Sequence, residues 1–87
     1  MIRLELIHNG GKSKRLETLS KAGEIEGYTT FLVHRSYGKN NGHFKNDIVS
    51  GEKYYSLLFF DDSNRETAES LKKEFLQDGY FAVLSKI

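Results

Sequence analysis

Lys53-Tyr54-Tyr55-Ser56-Leu57-Leu58-Phe59-Phe60 carries no charge beyond its first residue, and its aromatic and aliphatic side chains are those that pack well on a pleated surface, so it reads as a β-strand. A strand with one wet face alternates apolar and polar residues. This one does not: Tyr54, Leu58 and Phe60 fall on one side, and Tyr55, Leu57 and Phe59 fall on the other. Both sides call for apolar cover, and that demand constrains everything around the strand.

Downstream, Asp61-Asp62-Ser63 ends the strand. Ser63 with Glu66 three residues later has the spacing of a capping box, Ala68, Leu71 and Phe75 share one helical face, and Gly79 follows; together they predict a helix over 64–78. Phe81, Val83 and Ile87 then alternate with Ala82 and Leu84 in a last strand. Upstream, Ile2, Leu4 and Leu6 alternate with Arg3 and Glu5, giving a strand over 2–8 that Asn9-Gly10-Gly11 breaks. Ser13 as N-cap, Leu16, Leu19 and Ala22 at helical spacing, and Gly23 as the left-handed terminator predict a short helix over 14–22. Tyr28 to Tyr37 is rich in β-branched and aromatic residues, with Phe31, Val33 and Arg35 on one side and Thr30, Leu32 and His34 on the other, and reads as a second strand. Gly38-Lys39-Asn40-Asn41-Gly42-His43 tolerates positive φ and lacks an apolar anchor, so a projecting loop is expected over 38–52. Within it, Phe44 to Val49 has the composition for weak pairing as an extra strand.

The order is strand, helix, strand, loop, strand, helix, strand. That is the split βαβ pattern of a ferredoxin-like α+β fold, an antiparallel sheet with two helices on one face. The 87 residues make one domain, 1–87, because cores of this size rarely divide. Two helices cover one face only, so the second apolar side of the third strand is left bare together with Phe31 and Val33. An exposed patch of that kind marks a partner surface. Self-association through Phe31, Val33, Tyr55, Leu57 and Phe59 is therefore expected, the more so because a chain this short buries only roughly 60–65% of its unfolded surface on its own.

Composition narrows the rest. There is no cysteine, which excludes disulfides, thiolate metal sites and a cysteine nucleophile. The first residues alternate charged and apolar side chains without an apolar leader core, and no run approaches the roughly 20 apolar residues of a membrane span. A cytoplasmic protein that does not insert in a membrane is the expectation. The formal net charge of +1 is too small for strong phosphate binding by the whole chain, although eight Lys or Arg against four Glu up to Lys45, and five against eight acidic residues after it, make the first half basic and the second acidic.

Four motifs bear on chemistry. Gly10-Gly11-Lys12-Ser13 between a strand and a helix has the flavour of a phosphate loop, but the motif's first glycine would fall at Leu6 and the chain is too short for a nucleotide-hydrolysing domain. A tight turn feeding a helix is the favoured reading, with an incidental anion site the alternative. The third strand partly matches the aromatic strand with which RNA-recognition domains stack bases; Tyr54, Ser56 and Leu57 depart from that pattern, and the first strand brings no aromatic. His8, His34 and His43 have no recognised metal spacing and read first as surface or loop histidines. The sharper idea is a metal held by His34 and His43 flanking the loop, with Asp47 or a neighbouring copy. Neither a Ser-His-Asp arrangement nor a readable carboxylate pair is present, so the chain is not expected to be an enzyme.

Glu24-Ile25-Glu26-Gly27-Tyr28-Thr29-Thr30-Phe31 followed by Tyr37-Gly38-Lys39-Asn40-Asn41-Gly42-His43 resembles the PII-like signalling family, in which a glycine-bounded segment ending in Gly-His leaves the second strand and opens a long loop. The third strand, second helix and fourth strand follow at similar spacing, so the likeness runs along nearly the whole chain. It is nearest to the short PII-like proteins linked to heavy-metal efflux pumps of bacteria, which share an acidic-Ile-x-Gly-aromatic-Thr segment. The resemblance implies a homotrimer with its sheets facing inward, a small effector bound in the cleft between subunits with Gly38, Lys39, Gly42 and His43 at the base of the loop, and signalling through the loop to a protein target such as a transport system. Ser36 stands where nucleotide-binding members often have glycine, the turn after the second helix is short, and no basic tail follows the last strand. A metal ion is accordingly favoured as effector over an adenine nucleotide. The competing class is a small nucleic-acid-binding α+β module using the basic first half.

Overall fold

The structure, a computed structural model, describes residues 1–33 and 53–87. It contains β1 (Ile2–His8), α1 (Ser13–Lys21), β2 (Gly27–Val33), β3 (Lys53–Phe60), α2 (Arg65–Gln77) and β4 (Phe81–Lys86), with a 3-10 turn at Asp62–Asn64 between β3 and α2. The four strands form one sheet in the order β2-β3-β1-β4, and every adjacent pair is antiparallel. This is the ferredoxin-like α+β fold expected from the sequence.

Strand parity assigns the faces. Ile2, Leu4, Leu6 and His8 of β1 lie opposite Phe60, Leu58, Ser56 and Tyr54 of β3, and Leu4 and Leu6 also lie opposite Leu84 and Ala82 of β4. Leu16 and Leu19 of α1 and Ala68, Leu71 and Phe75 of α2 close over this face in a single buried cluster. Each fully buried Leu or Phe contributes about 1.5–3 kcal/mol, so the cluster holds both helices to one side of the sheet. Ala22, the third residue of the α1 repeat, is exposed because the helix has already ended.

Both helix starts differ from expectation. Ser13 is the first residue of α1 rather than its cap; the cap position is Lys12, with no side-chain hydrogen bond, because the turn closes one residue early when Ser13 N–H donates to the Gly10 carbonyl. The Ser63–Glu66 capping box does not form either. Asp61 accepts from both the backbone N–H and the hydroxyl of Ser63, and a carboxylate two residues away is a stronger acceptor than the arrangement the box needs. The Ser63 backbone N–H that Glu66 would have accepted is thus taken by Asp61 inside the 3-10 turn, and α2 begins at Arg65 with Asn64 at the cap position. The far ends match: Gly23 and Gly79 adopt φ of 79° and 86°. The second half of the predicted second strand, up to Tyr37, and the extra strand at Phe44 to Val49 lie outside the described residues.

Candidate functional site

The face of the sheet away from the helices is organised as three rows that run across all four strands. Phe31, Tyr55, Ile7 and Phe81 make the first row, Thr29, Leu57, Glu5 and Val83 the second, and Gly27, Phe59, Arg3 and Ser85 the third. No helix covers them among the described residues. The first row is apolar apart from the Tyr55 hydroxyl, with the rings of Phe31 and Tyr55 stacked at 6.3 Å and 25°. Phe31 remains 53% exposed and Val83 39%.

The other two rows carry a polar cluster at their centre. The Tyr55 hydroxyl donates to Glu5 Oε1 at 2.7 Å. Arg3 Nε donates to Ser85 Oγ at 3.1 Å and lies 3.8 Å from Glu5 Oε2. Burial, then the hydrogen bond to Glu5 and that residue's charge, push the Tyr55 phenol up to about 12, so it stays a donor at any physiological pH. The cluster holds its side chains in place and offers no nucleophile.

A second polar cluster sits under the helices. His8 Nε2 is 2.8 Å from Ser56 Oγ, Ser56 Oγ is 2.8 Å from Thr30 Oγ1, and Gly10 N–H donates to His8 Nδ1 at 3.1 Å. An Nδ1 that accepts a backbone proton is unprotonated, so in the neutral ring the hydrogen resides on Nε2 and is donated to Ser56. A general base would need the opposite polarity, taking the serine proton. Burial lowers the pKa of His8, and the ring packs edge-on against Phe75 at 5.7 Å. His8 is a buried structural residue, which corrects its reading as a surface histidine. Its signal was present in the parity of Ile2, Leu4, Leu6 and His8.

The Gly10-Gly11-Lys12 turn is equally committed. Gly10 N–H is taken by His8, Gly11 N–H by Asn9 Oδ1, and the Lys12 amine by Glu74 and Asp78 of α2. A phosphate would have to displace all of these, so the turn joins helix to helix and is not a ready anion cradle. Gly10 has φ 91°, and a Cβ there would lie 2.9 Å from the Tyr54 ring. Part of the basic character of the first half is spent in the same way, since Arg15 also pairs with Glu74.

Phe31, Val33, Tyr55, Leu57 and Phe59 are brought together on the open face. Gly38, Lys39, Gly42 and His43, and the metal candidates His34, His43 and Asp47, lie outside the described residues. Among the described residues no group of three or more His, Asp or Glu is placed to hold a metal ion, and no helix is long and apolar enough to cross a membrane. Arg3, Glu5 and Ser85 were missed as members of the open face. Their odd numbering on strands whose inward residues are even was the available signal.

A scan against models of known protein families and a search of curated proteins both find no match to this chain. Fold and site together define a small α+β chain of βαββαβ order with a mostly apolar sheet face that no described helix covers.

Proposed function

We propose that this chain is a PII-like regulatory protein. In this reading three copies pack their open sheet faces together, a small effector binds in the clefts between copies through Gly38, Lys39, Gly42 and His43, and the segment 38–52 presents or hides a docking surface for a protein target, in keeping with the efflux-linked short members that the sequence resembles. A divalent metal ion held with His34, His43 and Asp47 is the effector of choice. The observation that carries the proposal is the open face: its first row of Phe31, Tyr55, Ile7 and Phe81 is apolar surface that a 10.0 kDa chain gains stability by covering with further copies. The fold supports it by having the strand and helix order that the family shares.

The same face is a poor bed for nucleic acid. Glu5, in the second row and 30% exposed, would set a carboxylate on the surface that an anionic strand would lie across. The absence of any single-strand binding at low salt, where phosphate contacts are strongest, is the expected result.

Native mass spectrometry of protein prepared without chelators tests the proposal. The expected species is a trimer carrying a metal-sized mass increment, and saturation at about 100 times the dissociation constant should raise the folding stability by about 2.7 kcal/mol. A bare monomer at micromolar concentration would overturn the assembly, and a trimer indifferent to every divalent metal would overturn the effector.

A further inference from the structure

Arg3 and Glu5 are the charged side chains within the three rows. Lys53, opposite Val33, adds a further charge at the margin of the same face, whereas Arg3 and Glu5 both stand on β1, a strand flanked on each side in the sheet. Any partner that covers the face covers them. Each is anchored at one end: Arg3 by Ser85, Glu5 by Tyr55. Each also has capacity left over. The single hydrogen on Arg3 Nε goes to Ser85, its two terminal nitrogens have no hydrogen bond to any described residue, and its nearest approach to Glu5, 3.8 Å to Oε2, is too long for a hydrogen bond. Glu5 Oε2 likewise accepts none among the described residues. The two carry opposite charge 3.8 Å apart within the chain, but side chains 40% and 30% exposed in the single chain would be stripped of water on association, and the unmet hydrogen-bonding capacity of a buried charged group is destabilising.

A second copy of the same face supplies the missing partners, because it carries one guanidinium and one carboxylate of its own. We propose that Arg3 of one copy meets Glu5 of the next across the packed faces, and that this pair fixes the relative orientation of the copies while the apolar rows supply the adhesion. The inference rests on reading the open face as a self-association surface. Charged pairs commonly act this way, setting register and excluding wrong arrangements more than adding affinity. A heterologous partner would need an acidic and a basic group at the same spacing in an otherwise apolar surface; the self-complementary charge makes a second copy the simpler occupant.

Light scattering over a concentration series, with circular dichroism to confirm folding, tests it on four chains: the unaltered protein, Arg3→Glu, Glu5→Arg, and the double swap. Each single reversal sets like charges against each other and should disperse the assembly, while the swap should restore it. Should a reversal fail to fold, Arg3→Gln and Glu5→Gln leave one charge unpaired and should weaken association at least about tenfold. Folded single variants that assemble like the unaltered protein would overturn the pairing, as would a folded swap that stays dispersed. An unaltered protein that is itself monomeric would instead overturn the self-association reading on which the pairing depends.

Discussion

His8 shows how one side chain can be read in opposite senses. Its serine neighbour at 2.8 Å suggests a nucleophile and base, but the Gly10 N–H on Nδ1 fixes the tautomer the other way. Because burial lowers its pKa below the usual 6.5, the unfolded chain takes up a proton first as the pH falls. Its contribution to stability is therefore complete above about 6.5 and declines below that value. Urea midpoints measured from pH 8 to pH 5 should fall in the lower part of the range, and His8→Gln should lose that part of the decline; an identical slope in the variant would sink the assignment. Glycine makes the second residue-scale test. Gly10 and Gly23 both have positive φ, yet a Cβ at Gly23 meets nothing within 4 Å, whereas at Gly10 it strikes the Tyr54 ring. Gly23→Ala should cost about 1–2 kcal/mol from backbone strain alone. Gly10→Ala should cost more, read from denaturant midpoints of the two variants side by side.

Between elements, the strongest tie on the helical side runs from the start of α1 to the end of α2. Lys12 bonds Glu74 at 2.7 Å, and Arg15 reaches the other Glu74 oxygen through two nitrogens, at 3.2 and 3.3 Å. The Lys12 hydrogen bond, opposed by burial and helped by Arg15, lowers the Glu74 pKa below its usual 4.5. A lowered carboxylate stabilises the fold above the unfolded value and loses that effect as the pH falls through the folded one, so a second acid step should follow the histidine step at lower pH. Glu74→Gln should remove it and cost up to about 1 kcal/mol at neutral pH, as partly exposed pairs do, with the loss shrinking at high salt; a midpoint unchanged at low salt would contradict this.

The elements legible in the sequence were α2 and the strand parity of β1, from their unambiguous periods, and β3, from an unbroken run of aromatic and aliphatic residues. Caps were not. Ser63 has the right neighbour at Glu66, but Asp61 competes for its hydroxyl and backbone N–H, and such a contest is settled by local geometry that spacing alone does not reveal. The ion pairs between α1 and α2 escaped for a related reason, since residues 59 and 62 apart in sequence meet only once the sheet has been assembled.

For the whole molecule, the legible fact was that β3 is apolar on both sides. The five residues assigned to the bare face from that pattern do share it, while Arg3, Glu5 and Ser85 were hidden because a charge at an alternate strand position looks like ordinary solvent exposure until its neighbours are known. If the face is buried between copies, Phe31→Lys should disperse the assembly to monomers in light scattering. The monomer's own stability should fall by no more than about 1 kcal/mol, because Phe31 is 53% exposed in the single chain and loses chiefly its stacking on Tyr55. A large fall in the thermal midpoint of a dilute sample would show that Phe31 supports the fold itself.

The strand order also governs how the chain reaches its folded state. β1 is made before the other three strands of the sheet, yet its two sheet neighbours are β3 and β4, and Ile2 pairs with Lys86, far along the chain. Closing such separations is entropically slow, so a strand made before both of its neighbours is among the last to find its partners. Until β4 arrives, the apolar inner edge of β1 stands open to strangers, and acquisition of the native state should be a late, all-or-none event that a chain ending at Tyr80 cannot complete.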